Sequence, residues 1–123
     1  MKIISTENAP KAVGPYSQAV KHKGMVFCSG QVGIDPKKGQ LVEGVENQTK
    51  QAVKNLESVL LFAGLSLNNI VKTTIFLADI NDYKKVNEIY GSFFNKNKPA
   101  RSTVQVAALP LGARVEIEAI AIK

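Results

Sequence analysis

Val115-Glu116-Ile117-Glu118-Ala119-Ile120-Ala121-Ile122 alternates like a strand, yet neither alternate set is polar throughout. Successive side chains of a strand point to opposite faces. Val115, Ile117, Ala119 and Ala121 therefore form one face, and Glu116, Glu118, Ile120 and Ile122 the other. The first set suits packing beneath helices. The second would leave two isoleucines in water, so the run predicts a sheet with helices on one side and another subunit on the other. A few harmlessly exposed isoleucines are the plainer alternative.

Working outward from this run, residues 102–107 read as the preceding strand, entered through Pro99-Ala100-Arg101. Residues 70–77, Ile-Val-Lys-Thr-Thr-Ile-Phe-Leu, are rich in β-branched side chains and read as another. Between them, Asn81 or Asp82 is placed to cap a helix with Tyr83, Val86, Ile89, Tyr90 and Phe93 on its apolar face. An earlier helix is predicted over 46–63 from the stripe Ala52, Val53, Leu56, Val59, Leu60 and Ala63, with Gly64 just past its end. Residues 17–21 and 25–29 form two further strands around the turn His22-Lys23-Gly24, and Asp35-Pro36-Lys37-Lys38-Gly39 is a second turn. Residues 6–16, with Asn8-Ala9-Pro10 and Gly14-Pro15, make an irregular lead-in. The order is β-β-α-β-α-β-β, an α+β sandwich with two helices on one face.

The 123 residues carry a formal charge of +6 and fit a single domain, 1–123. No apolar run approaches the ~20 residues that a membrane helix needs. One cysteine, Cys28, cannot form an internal disulfide, which suits a reducing compartment, and a cytoplasmic location is expected. The lysines are scattered in pairs along the chain without interleaved aromatics, so the charge reads as a solvated surface rather than a nucleic-acid platform.

His22 is the only histidine, which removes Ser-His-Asp and Cys-His chemistry, and one histidine with one cysteine does not make an ordinary zinc site. Neither a P-loop nor a dinucleotide fingerprint is present, so the chemistry is expected to need no cofactor and no metal. Of 16 cationic side chains only two are arginine. Arg101 could clamp a carboxylate through its planar fork, or pair with a surface acid. Glu116 or Glu118, set among apolar neighbours, could exchange protons near neutral pH, or could be rim charges. Thr103 and Gln105 project with Arg101. At Ser29-Gly30 the glycine could admit a ligand to the backbone or mark a bulge. Tyr16 could hang over a site or pack with a satisfied hydroxyl, and Asn87 reads as solvent-facing. Cys28 reads as a small core residue.

Were 102–107 and 115–122 an antiparallel hairpin with Ala107 opposite Val115, Arg101 would lie roughly 17 Å from Glu116. That is too far for one small acid. Either the two strands are not partners in that register, or the pair comes from two chains.

Thr6-Glu7-Asn8-Ala9-Pro10-Lys11-Ala12-Val13-Gly14-Pro15-Tyr16-Ser17-Gln18-Ala19, then Ser29-Gly30-Gln31, then Pro99-Ala100-Arg101-Ser102 through Leu109-Pro110 to Val115-Glu116-Ile117-Glu118-Ala119, resemble the motifs of the reactive-intermediate deaminase A (RidA, YjgF-like) family over the whole chain. The resemblance implies a chorismate-mutase-like fold assembled as a homotrimer with clefts between subunits. It also implies cofactor-independent hydrolysis of 2-imino or 2-enamino acids, released by pyridoxal-phosphate enzymes such as threonine dehydratase, to 2-keto acids and ammonia. An RNA-binding translation inhibitor or endoribonuclease, or a non-catalytic ligand-binding trimer, are the alternatives the family brings with it. The family's arginine falls on Arg101 and its acid on Glu116, the expected catalytic pair, and its binding residues on Tyr16, Ser29, Gly30, Asn87 and Arg101. Thr103 stands where many members have cysteine; the resemblance leaves its backbone in contact with the ligand.

Overall fold

A computed structural model describes all 123 residues. The strands are β1 (Lys2–Ile4), β2 (Ala19–His22), β3 (Met25–Val32), β4 (Ile34–Asp35), β5 (Gln40–Leu41), β6 (Ile70–Leu77), β7 (Ala100–Gln105) and β8 (Val115–Ile122). The helices are α1 (Val45–Phe62) and α2 (Tyr83–Phe93). Six strands form one mixed sheet in the order β1-β2-β3-β8-β6-β7, and β4 and β5 pair separately. Every neighbour in the large sheet is antiparallel except β6 and β7, which α2 connects as a parallel crossover.

β8 lies inside the sheet between β3 and β6, so both of its edges are paired while its two faces meet different surroundings. Val115, Ile117, Ala119 and Ala121 are buried beneath the helices, as the alternation predicts. They meet Ala52, Val53, Leu56, Val59 and Leu60 of α1, and Val86 and Tyr90 of α2, in one core. α1 ends as expected at Gly64, whose φ of +83° allows Gly64 N–H to bond Leu61 O and Leu65 N–H to bond Leu60 O. The other face of the sheet is uncovered. Phe27, Val104 and Ile122 are each at least 40% exposed there, beside Glu116 and Glu118.

Several expectations shift. β1 is an edge strand that two isoleucines were too short a signal to reveal. β2 starts at Ala19, and β3 runs on to Val32 across a bulge between Cys28 and Gln31. β7 starts at Ala100 and stops at Gln105. It is no hairpin partner of β8, because β6 intervenes and the 106–114 connection, containing the 3-10 turn Pro110–Gly112, steps past it. Asp82 sits at the N-cap of α2 but makes no capping bond; its carboxylate instead takes the Arg114 guanidinium at 2.6 Å. Asp79, opening the preceding turn, accepts from Asn81 N–H at 2.9 Å.

Candidate functional site

On the uncovered face, the lead-in packs over the bulge of β3 and is held there by Gln18. The buried Gln18 amide accepts from Thr6 N–H at 2.7 Å and donates to Thr6 O at 3.0 Å and Pro10 O at 2.8 Å. That clamp replaces the regular pairing which the prolines at 10 and 15 interrupt. It carries Tyr16, which is half-exposed with its hydroxyl accepting from Val13 N–H at 3.3 Å. Ser29 donates its hydroxyl to Ser17 O at 2.6 Å, and its N–H bonds Gln18 O at 3.0 Å, so it fastens the lead-in to β3.

Gly30 stands at the bulge and Glu116 lies across it. A methyl carbon built on Gly30 would come within 2.8 Å of the Glu116 carboxyl. The bulge reading of Gly30 is thus realised, and the group that approaches its Cα closely is the Glu116 side chain. A groove of about 720 Å³ opens here, lined by Tyr16, Ser29, Gly30, Leu111, Glu116 and Glu118 among others. Burial, and secondarily the like charge of Glu118, push the Glu116 carboxyl above the ordinary glutamate range. It can therefore hold or release a proton closer to neutrality than a surface glutamate.

Arg101, Asn87 and Thr103 are elsewhere. Arg101 pairs with Thr73 on β6, and Thr73 is buried toward the helices, so Arg101 emerges on the helix side at the sheet's edge. Its guanidinium donates to Tyr83 Oη at 2.9 Å and lies 5.6 Å from the Tyr83 ring centre and 5.1 Å from that of Tyr90. Two aromatic faces orient a planar cation in this way. Tyr90 is anchored by a 2.7 Å hydrogen bond with Thr73 Oγ1. Burial raises the Tyr90 phenol, while Thr73 and the Arg101 charge pull it back. Asn87 is half-buried on the same stripe of α2, four residues after Tyr83 and three before Tyr90. Thr103 follows Arg101 on the same side of β7, and its buried hydroxyl has no hydrogen-bond partner.

Arg114 is the arginine paired with an acid, at Asp82; Arg101 has no carboxylate within ion-pairing distance in its own chain. Cys28 is in the core with its thiol pushed up to about 12 by burial, as befits a packing residue.

Within one chain the candidate residues therefore fall into two halves. Arg101 is level with Thr73 and Glu116 with Phe76, so their backbones are two strands and three residues apart. That is roughly 14 Å, with the side chains on opposite faces. The sequence did not expose Tyr83, Tyr90 or Gln18 as parts of these halves. The tyrosines read as a helix's apolar stripe, and only their position opposite Arg101, not their spacing, sets them apart. Gln18 falls inside the lead-in motif, but nothing in that motif shows that its amide ties Thr6 and Pro10 together.

The family model for Endoribonuclease L-PSP matches residues 6–123. The chain is 58% identical to the 2-iminobutanoate/2-iminopropanoate deaminase of Mus musculus, over 99% of this chain and 91% of the mouse protein. Its fold superposes on the crystal structure of E. coli TdcF with bound serine with a TM-score of 0.95 and 43% identity, covering 100% of this chain and 99% of the other. The YjgF protein of E. coli gives a TM-score of 0.97 at 45% identity, covering 100% and 99%. With a match running from the lead-in through the last strand, the chain belongs to the Endoribonuclease L-PSP family, that of the RidA and YjgF proteins.

Proposed function

We propose that the chain is a deaminase that hydrolyses 2-imino and 2-enamino acids to 2-oxo acids and ammonia, working as a homotrimer whose sites form between subunits. The observation that carries this reading is the division of the site. An arginine held by two tyrosines but lacking an acid partner stands on one face, and a proton-exchanging glutamate in a groove stands on the other. Docking the β7 edge of one chain onto the groove of the next joins the halves, and subunits meeting on this face have Phe27, Val104 and Ile122, exposed in a single chain, to bury. The relatives named 2-iminobutanoate/2-iminopropanoate deaminase supply the substrate class.

In this site the Arg101 fork holds the substrate carboxylate through two parallel hydrogen bonds. Asn87, on the same stripe of α2 as the tyrosines, adds an amide to that side of the cleft. Tyr16, Ser29, Gly30 and the Thr103 backbone shape the pocket around the reacting carbon. Glu116 orients water. As the water oxygen bonds the carbon of the protonated imine, Glu116 takes a proton from that water and a neutral carbinolamine forms. Glu116 returns this proton to the nitrogen, then accepts the hydroxyl proton as the C=O bond forms and the C–N bond breaks, so that 2-oxo acid and ammonia leave. Imines hydrolyse readily in water, so positioning and one proton shuttle are enough. The substrates are those that pyridoxal-phosphate enzymes such as threonine dehydratase release, and a cytoplasmic site of action follows from that supply. No helix of the chain is long and apolar enough to cross a membrane.

The test is a coupled assay with threonine dehydratase, following the rise of 2-oxobutanoate as its imine decays. Added protein should speed that rise, and an unchanged rate would refute the reading. RNA is the weaker fit. The sole histidine, His22, pairs with Met25, five residues and roughly 16 Å along β3 from Gly30. Affinity falling steeply with salt would nevertheless reveal phosphate binding, whereas a single carboxylate responds weakly.

A further inference from the structure

We infer that Gly30 is a positioning residue for Glu116: its bare Cα lets the glutamate lie along the bulge of β3 with its carboxyl aimed into the groove. The inference rests on the proton-transfer role proposed for Glu116. Gly30 does not have the positive φ that would itself demand glycine, in contrast to Gly14, Gly24 or Gly64. The constraint is one of space. A Cβ there would lie 2.8 Å from Glu116 Cδ and Oε1 and 2.9 Å from Cγ, separations that real Cβ atoms essentially never show. Three successive parts of one side chain press on the same point, so the glutamate runs across the glycine rather than touching it with its tip.

No ion pair holds the Glu116 carboxyl in place. Val32 of β3 and Phe76 of β6 flank it in register, and both are uncharged. Glu118, two residues along on the same face, repels it. Lys11 and Tyr16 face the groove from the lead-in. A methyl group at Gly30 meets only this movable side chain among its nearest atoms, so the fold can accept alanine by swinging Glu116 outward. The carboxyl would then lose the burial that raises it and titrate closer to an ordinary glutamate.

Gly30→Ala is compared with Gly91→Ala, an alanine placed in open space on α2 that should leave activity unchanged. The readouts are kcat, KM, the calorimetric Kd of 2-oxobutanoate, and the Glu116 carboxyl titration by carbon-detected NMR. The expected result for Gly30→Ala is a kcat at least about tenfold lower, an unchanged Kd, and a Glu116 titration shifted to lower pH. An unmoved titration overturns the inference, whatever happens to kcat. A weakened Kd with an unmoved titration would mean that the ligand, not Glu116, needs the space. Loss of the fold that Gly30→Ala/Glu116→Ala does not restore would also overturn it. Should Glu116→Gln keep wild-type turnover, the catalytic reading of Glu116 fails, while the titration still decides whether Gly30 positions it.

Discussion

Replacing Arg101 by lysine keeps the charge and removes the fork. Arg101 now meets the Tyr83 hydroxyl at 2.9 Å and the rings of Tyr83 and Tyr90 at 5.6 and 5.1 Å, an arrangement that leaves its remaining donors free for a carboxylate. A lysine ammonium can keep one of two charge-assisted bonds to that carboxylate, so about 1.5–3 kcal/mol is lost. The planar stacking on the tyrosines adds about 0.5–1 kcal/mol. At 1.4 kcal/mol per decade, kcat/KM should fall about thirtyfold to several-hundredfold. Arg101 forms no ion pair in its chain, and its Cα lies on an edge strand, so only the stacking is lost to the fold and Tm should move by no more than about 4 °C. The threonine dehydratase assay measures the first quantity and calorimetry the second. A lysine variant with near-wild-type kcat/KM would refute the fork, and an equal loss explained by a large fall in Tm would make Arg101 a structural residue.

Tyr83→Phe keeps the ring but removes the hydroxyl that accepts from Arg101, a loss of about 0.5–1.5 kcal/mol that steady-state kinetics should show as a severalfold rise in KM. Thr103→Val replaces a buried hydroxyl that has no partner, so activity should persist and stability should rise by up to about 2 kcal/mol in denaturant titrations. Glu116→Gln should abolish turnover and stabilise the protein in a pH-dependent way. The folded carboxyl is raised above 4.5, so its stability contribution is complete below that value and is lost as pH rises through the folded pKa. Thermal scans should therefore show the variant's advantage near neutral pH and its disappearance by about pH 4.

The architecture was legible wherever burial imposes a period. The stripe of α1 and the double-sided alternation of 115–122 place both elements to within a residue, because a shifted register would put Leu56 or Ile117 in water. Pairing was not legible. Nothing in 102–107 distinguishes an antiparallel partner of β8 from a parallel partner of β6, since that choice is set by how α2 and the 106–114 connection cross the sheet. For the same reason residue types suggested Arg101 and Glu116 while their placement on opposite faces stayed hidden. Gly30 and Glu116 are far apart in the chain, and only the bulge brings one over the other. The motif resemblance named candidate residues in both halves, and the fold separates them.

In the proposed assembly each site takes Arg101 from one chain and Glu116 from another. Arg101→Ala and Glu116→Ala proteins, each inactive alone, can be dissociated, mixed in equal amounts and reassembled, with subunit exchange confirmed by native mass spectrometry. If sites form between chains, random assembly gives an intact Arg101 opposite an intact Glu116 in about a quarter of them, so about a quarter of the wild-type rate should return. Exchanged oligomers that stay inactive would place the whole site within one chain and contradict the account.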